Sequence, residues 1–326
     1  MNYFITPDLN TISGGNKYDL KVLDYLKSRR CKIINIPVSQ TRMRLEKIFF
    51  NLSVIPNKST ILIDGIIASN VNHLSKILSK KFKIILLIHH PISYEKNQYG
   101  DLLIKLKEKQ IFSSVNKIIT VSNTMRNVIK KILNKNIEVE VISPGVDEVF
   151  CKQEKYIPRK NYKIITTGSV IPRKNIESCI EILRHMNNKW TLKIIGKNDH
   201  NSSYYSYLQS LINKYELNNR VEFLGCINDI NIMINHLRSA QVYLCLSKYE
   251  GYGMANIESA TLGLPLVVSD IPVFRENLVG LNRKYVNLKN INSIISAINE
   301  SSCTNRNIKT RTWQDVGHSF KKALYG

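Results

Sequence analysis

Two glutamates bracket a glycine-containing loop in the run Leu244-Cys-Leu-Ser-Lys-Tyr-Glu250-Gly251-Tyr-Gly253-Met254-Ala255-Asn-Ile-Glu258. A carboxylate only accepts hydrogen bonds, and vicinal hydroxyls donate them, so each glutamate can take a bidentate pair. Gly251 and Gly253 let the backbone approach a ligand closely. A helix starting near Met254 would turn its first amides toward anionic or hydroxyl oxygens. A helix start that favours acidic residues accounts for Glu258 by itself. It does not account for two glutamates, two glycines and the downstream Gly263-Leu-Pro265 together.

A second run, Thr167-Gly168-Ser169-Val-Ile-Pro-Arg173-Lys174-Asn175, reads as a strand end, a loop and a residue able to cap the next helix. Adjacent cations beside strand ends and helix N-termini suit a diphosphate. The plainer alternative is a solvated Arg-Lys pair. A third run, Ile88-His89-His90-Pro91, ends a strand. Neighbouring residues on a strand face opposite sides, and no acidic partner stands at ligand spacing, so no metal is expected there. A fourth, Thr11-Ile-Ser-Gly14-Gly15-Asn16, is either a simple strand-to-helix turn or a glycine-rich loop facing a ligand.

These residues need elements to hold them. Apolar runs at Asn2–Thr6, Lys32–Pro37, Thr60–Asp64, Phe82–His90 and Lys117–Ser122 read as strands. Tyr18–Arg29, Ala68–Lys80, Asp101–Ser113 and Asn123–Leu133 read as helices between them. Strands without strict alternation are covered on both faces, which points to a parallel, doubly wound sheet. A polar break at Cys151–Asn161 reads as a linker, after which the rhythm restarts. Strands are expected at Lys163–Thr167, Thr191–Ile195, Val221–Leu224, Val242–Leu246 and Leu266–Ser269, with helices from Asn175, Ser203, Asp229, Ala255 and Asn292. The chain thus divides into residues 1–151 and 152–310, with a terminal helix in 311–326 after the polar stretch Ser301–Arg311. The 326 residues suit two domains of about 150 each.

Charge and cysteine usage narrow the classes further. Lys and Arg number 47 against 25 Asp and Glu, a net charge of +22 shared evenly between residues 1–150 and the remainder. That is either a compositional bias toward lysine or an attraction to phosphate-bearing partners such as anionic lipid. Nucleic acid is not expected, because no basic stripe carries interleaved aromatics. No apolar run approaches the roughly 20 residues of a membrane span. The N-terminus lacks the basic-then-apolar order of a signal peptide. The six cysteines are scattered, with none at CxxC spacing, which fits a reducing cytosol.

The loop from Glu250 to Glu258 closely resembles the E-x7-E donor motif of GT-B glycosyltransferases of retaining family 4, the glycosyl transferases group 1. The resemblance covers nearly the full chain and is most specific over residues 164–270. It implies an α/β GT-B fold: two Rossmann-like, doubly wound parallel-sheet domains facing across a cleft, with the C-terminal helix from Trp313 crossing back to the first domain. It implies that Glu258 binds the ribose and that Glu250 lies at the donor sugar. The amides of Gly253, Met254 and Ala255 would meet the sugar and distal phosphate, and Gly251 belongs to the same donor-binding loop. Arg173 and Lys174 would hold the diphosphate, with Gly168 and Ser169 in the same donor-binding loop; many members carry arginine where Ser169 stands, so the duty falls more heavily on the two cations. Gly14 and Gly15 would face the diphosphate and acceptor, and His89 would approach the reacting carbon. The run Val141-Ile-Ser-Pro-Gly145-Val-Asp147 also fits the family.

The implied catalytic set is therefore His89, Arg173, Lys174 and Glu250, with no cofactor and no metal. The implied reaction moves a hexose, with retention, from a UDP- or GDP-linked donor to a glycan, lipid-linked or small-molecule hydroxyl. Its setting would be surface polysaccharide or glycoconjugate synthesis, in the cytoplasm, with peripheral contact at the anionic inner face of the membrane. The rival readings are a GT-B sugar-nucleotide epimerase and a non-catalytic sugar-nucleotide-binding subunit.

Overall fold

Runs of Ile, Leu and Val covered on both faces build two all-parallel sheets in the protein, whose computed structural model describes residues 2–10, 13–38, 55–70, 74–95, 102–133, 136–151, 161–301, 308 and 310–325. The first sheet holds β1 (Asn2–Pro7), β2 (Ile33–Val38), β3 (Thr60–Asp64), β4 (Lys83–Ile88), β5 (Lys117–Thr120) and β6 (Glu138–Val141), in the order β2-β1-β3-β4-β5-β6. The second holds β7 (Lys163–Thr167), β8 (Thr191–Ile195), β9 (Val221–Gly225), β10 (Val242–Cys245), β11 (Leu266–Ser269) and β12 (Arg283–Val286), in the order β12-β11-β10-β7-β8-β9. Every recorded pairing is parallel. Helices of eight residues or more are α1 (Gly14–Ser28), α2 (Leu102–Phe112), α3 (Asn123–Ile132), α4 (Ile176–Arg184), α5 (Ser203–Lys214), α6 (Ile230–Arg238), α7 (Met254–Thr261), α8 (Ile291–Asn299) and α9 (Trp313–Tyr325).

Strand order reverses between β1 and β3 in one sheet and between β7 and β10 in the other. Open parallel sheets bind ligands at such reversals, outside the carboxyl ends of their strands. Among the described residues, β6, β12, short helices at Ile92–Glu95, Glu148–Cys151 and Pro272–Asn277, and a 3-10 turn at Pro172–Lys174 lie outside the expected set. Both strands stand at sheet edges and read Glu-Val-Glu-Val and Arg-Lys-Tyr-Val, so little of them is buried and no apolar run announces them. The single helix expected over Ala68–Lys80 is instead a helix at Gly65–Asn70 and another at Leu74–Leu78, with 71–73 outside the described residues.

The chain divides into unit 1, residues 1–145 with 311–326, and unit 2, residues 146–310. The division falls six residues earlier than the expected boundary at 151, because Val146 and Phe150 are buried in the core of unit 2. Of the expected linker, residues 152–160 lie outside the described residues, as do 302–307 and 309 of the polar stretch before α9.

In unit 1, α9 lies against α1. A capping box starts it: the Thr312 amide donates to Asp315 Oδ2 at 3.0 Å, and the Asp315 amide donates to Thr312 Oγ1 at 3.1 Å. Gly317 lets the two helices touch, since a Cβ there would stand 2.0 Å from Tyr25 Cγ. Phe320 and Trp313 meet Tyr18 edge-on at 5.7 and 5.8 Å. No helix among the described residues is long and apolar enough to cross a membrane.

Candidate active site

The strand reversal of unit 2 brings two loops together, one after β7 and one after β10. Pro172–Lys174 forms a single 3-10 turn in the first loop. Asn175 follows in the left-handed region, at φ 55° and ψ 44°. It was expected to cap α4, but its side chain makes no cap bond. Its Nδ2 instead donates to the Leu246 carbonyl at 3.1 Å, and its Oδ1 accepts from Ser178 Oγ at 2.9 Å. Asn175 is thus a buried tie between the two loops, since the end of β10 has first claim on its amide. The Lys248 amide adds a second tie, donating to the Arg173 carbonyl at 2.8 Å.

The two loops place three charged side chains in one cluster. Glu250 Oε2 accepts from Arg173 Nη1 at 2.9 Å, and its Oε1 accepts from Lys174 Nζ at 2.6 Å and Ser247 Oγ at 2.8 Å. Ser247 is itself held from behind, where Ser269 Oγ donates to its carbonyl at 2.6 Å. Burial would raise the Glu250 carboxyl, but Lys174 and Arg173 outweigh it and hold the group at about 2. The resemblance had Glu250 at the sugar and the two cations at the diphosphate. In the structure the three form one ion cluster. An ammonium has three donors and a guanidinium five, so the cations can keep Glu250 and still present N–H groups to an anion.

Two of the glycines are required by their immediate surroundings. Gly168 ends β7 at φ +134°, and a Cβ there would stand 2.8 Å from Lys174 Cε, so glycine leaves the lysine stem its room. Gly253 precedes α7 at φ +89°, where a side chain would meet Phe274 Cε1 at 2.7 Å. Met254 and Ala255 open α7, whose first amides have no acceptor within the helix. Gly251 and Ser169 lie in the two loops, and Glu258 sits partly buried in the body of α7. Asn256, on the same helix, is buried.

In unit 1, Gly14 and Gly15 do not form a loop. They open α1, because Ser13 caps the helix by accepting from the Asn16 amide at 3.0 Å. His89 follows β4 and does have acidic partners. Its Nε2 stands 3.0 Å from Asp19 Oδ1 and 3.6 Å from Asp64 Oδ2. These nitrogen and oxygen atoms lie within 4.8 Å of one another. Spacing along the chain does not report these acids, because Asp19 on α1 and Asp64 at the end of β3 are distant from His89 in sequence. A signal was present. Asp19 falls on the buried stripe of α1 with Val22, Leu23 and Leu26, where a carboxylate is out of place without a partner.

Comparison with known proteins follows the same division. The family model described as glycosyl transferases group 1 matches residues 149–301. The chain is 31% identical to the O-antigen chain mannosyltransferase RfbU of Salmonella typhimurium over 213 residues, 64% of this chain and 56% of that protein. It is 30% identical to the O-antigen biosynthesis glycosyltransferase WclY of Escherichia coli over 145 residues, 42% of this chain and 38% of the relative. The chain therefore spans about half the length of the curated relatives it matches, or less. Among solved structures, a sucrose-phosphate synthase from Thermosynechococcus elongatus superposes with a TM-score of 0.76 at 16% identity, over 100% of this chain and 94% of the other. Anabaena HepE in complex with UDP and glucose gives 0.69 at 15%, over 100% and 95%. At those identities the likeness is one of fold.

Proposed function

We propose that this chain, which has the GT-B fold and matches the glycosyl transferases group 1 model over residues 149–301, is a retaining transferase moving a hexose from a nucleoside-diphosphate donor to a hydroxyl acceptor. The observation that carries this reading is the Arg173, Lys174 and Glu250 cluster at the strand reversal of unit 2, with α7 beginning just beyond Gly253.

Breaking the bond between the anomeric carbon and the diphosphate leaves negative charge on the leaving group. Arg173, Lys174 and the first amides of α7 stabilise that charge from fixed positions, with little reorganisation during the reaction. Glu250 holds both cations in place beforehand. Glu258 takes the ribose hydroxyls. The acceptor oxygen attacks on the face the diphosphate leaves, and a phosphate oxygen takes the acceptor's proton. This route calls for no protein nucleophile and no metal.

The setting we propose is surface polysaccharide synthesis at an anionic membrane. The relatives named above act in O-antigen synthesis and support the setting. The net charge of +22 and the surface of α2 support the membrane contact. On that helix Leu102, Leu103 and Leu106 are 65, 76 and 50% exposed, beside an exposed Lys105. An apolar face flanked by lysines suits an anionic bilayer surface.

The test is nucleotide release from a panel of UDP- and GDP-hexoses, with and without hydroxyl acceptors. Acceptor-dependent release is expected. Interconversion of the donor sugar without net transfer would instead mark an epimerase.

A further inference from the structure

We propose that Asp19 is a positioning residue for His89: it grips the imidazole at Nε2, with Asp64 as a second carboxylate behind it, and so commits Nδ1 as the ring nitrogen that meets a ligand. The ligand rests on the transferase reading, and the grip is a property of unit 1 by itself.

The imidazole is enclosed along its Nε2 and Cδ2 edge. Nε2 faces Asp19 Oδ1 at 3.0 Å and Asp64 Oδ2 at 3.6 Å. A Cβ on Gly15 would stand 3.1 Å from Cδ2 and 3.4 Å from Nε2, so the start of α1 lies directly against that edge. The Tyr18 ring meets the imidazole edge-on at 5.3 Å. Both carboxylates are buried, at 0 and 1% exposure, while the His89 side chain keeps 17%. A carboxylate accepting from Nε2–H fixes the tautomer and leaves Nδ1 for another partner.

The charges in the cluster agree with this arrangement. Two buried carboxylates beside one imidazole would carry a net negative charge unless protons are shared. Burial and the Asp19 charge push Asp64 up to about 7. Burial would lower His89, but the two aspartates reverse it and raise the imidazole above its ordinary value. The cluster is neutral as an imidazolium, one carboxylate and one carboxylic acid. In that state Nδ1 carries a proton and can donate to a sugar or phosphate oxygen. The other described groups around His89 do not compete. Tyr18 donates its hydroxyl to the Ile142 carbonyl at 2.6 Å, and His90 turns to Glu95 at 3.4 Å. Trp313 and Phe320, packed on Tyr18, carry no charge.

The test pairs a spectroscopic readout with a kinetic one, on the full chain and on Asp19→Asn, an isosteric change. In protein labelled with 15N-histidine, His89 is expected to titrate above 6.5 with Nε2 protonated, and its midpoint should fall in Asp19→Asn. Asp64→Asn should lower it less. In steady state, Asp19→Asn should lower kcat and change its pH profile, with the donor KM nearly unchanged. An unshifted His89 titration in folded Asp19→Asn overturns the grip. A shifted titration with unchanged kcat in an otherwise active enzyme overturns the commitment of Nδ1 to the ligand. If millimolar magnesium, manganese or zinc moves the His89 nitrogen resonances, the cluster is a cation site and the proposal falls. If the titration shifts but the wild-type chain transfers no sugar from any donor, the grip stands and the transferase reading is what fails.

Discussion

Glu250 is buried and ionised because two cations face it, and that has consequences at low pH. Its carboxyl is held at about 2, below the ordinary 4.5. A depressed acid adds stability that is fully present above its unfolded value and lost as pH falls through the folded one. Unit 2 should therefore lose stability progressively from about pH 4.5 down toward pH 2, and Glu250→Gln should remove much of that dependence. The same variant leaves Arg173 and Lys174 adjacent without a counter-charge. We expect it to cost about 3 kcal/mol in urea unfolding at neutral pH. Arg173→Ala or Lys174→Ala should lower kcat by about 100- to 1,000-fold, the scale of losing one preorganised donor to developing negative charge. Steady-state kinetics with the cognate donor measures this.

At this scale the two cations and Glu250 were legible as types and spacing, since each lies in a loop that follows a strand of unit 2. Their mutual pairing was not, because Arg173 and Glu250 are 77 residues apart and only the sheet order joins them. Asp19 and Asp64 were missed for the same reason, and Ser247, which holds Glu250, looked like an ordinary strand end.

At the scale of elements, the parallel strands were read correctly wherever burial on both faces demanded an apolar run. The edge strands β6 and β12 escaped because an edge needs no such run. The reversal between β7 and β10 is what turns two unremarkable loops into one site, and no linear pattern reports strand order. The helix α2 makes a prediction of its own. Leu103→Ser together with Leu106→Ser should weaken sedimentation with anionic vesicles by roughly tenfold at low salt, since two large apolar side chains leave the interface. Donor binding in solution should not change. Equal sedimentation of the variant and the wild type would remove α2 from the membrane contact.

At the scale of the whole molecule, each unit has its own parallel sheet and its own cluster of charged side chains, so damage to one should leave the other readable. Gly317→Val places a side chain where Tyr25 already stands in unit 1. It should destabilise unit 1 by about 2 kcal/mol or more, through overpacking between α9 and α1. Nucleotide binding, assigned to unit 2, should persist in the fraction that remains folded. The net charge of +22 belongs to this scale as well, because both halves of the sequence share it evenly.

The central claim is that unit 2 holds a nucleoside diphosphate through Glu258, Arg173 and Lys174. Calorimetric titration of the full chain with UDP, GDP and ADP tests it most directly, with Glu258→Ala and Arg173→Ala run beside the wild type. The account predicts saturable one-to-one binding of at least one diphosphate. Binding should be weaker by about tenfold or more in each variant, a loss of roughly 1.4 kcal/mol or more. No binding of any of the three, or equal affinity in wild type and both variants, would contradict it.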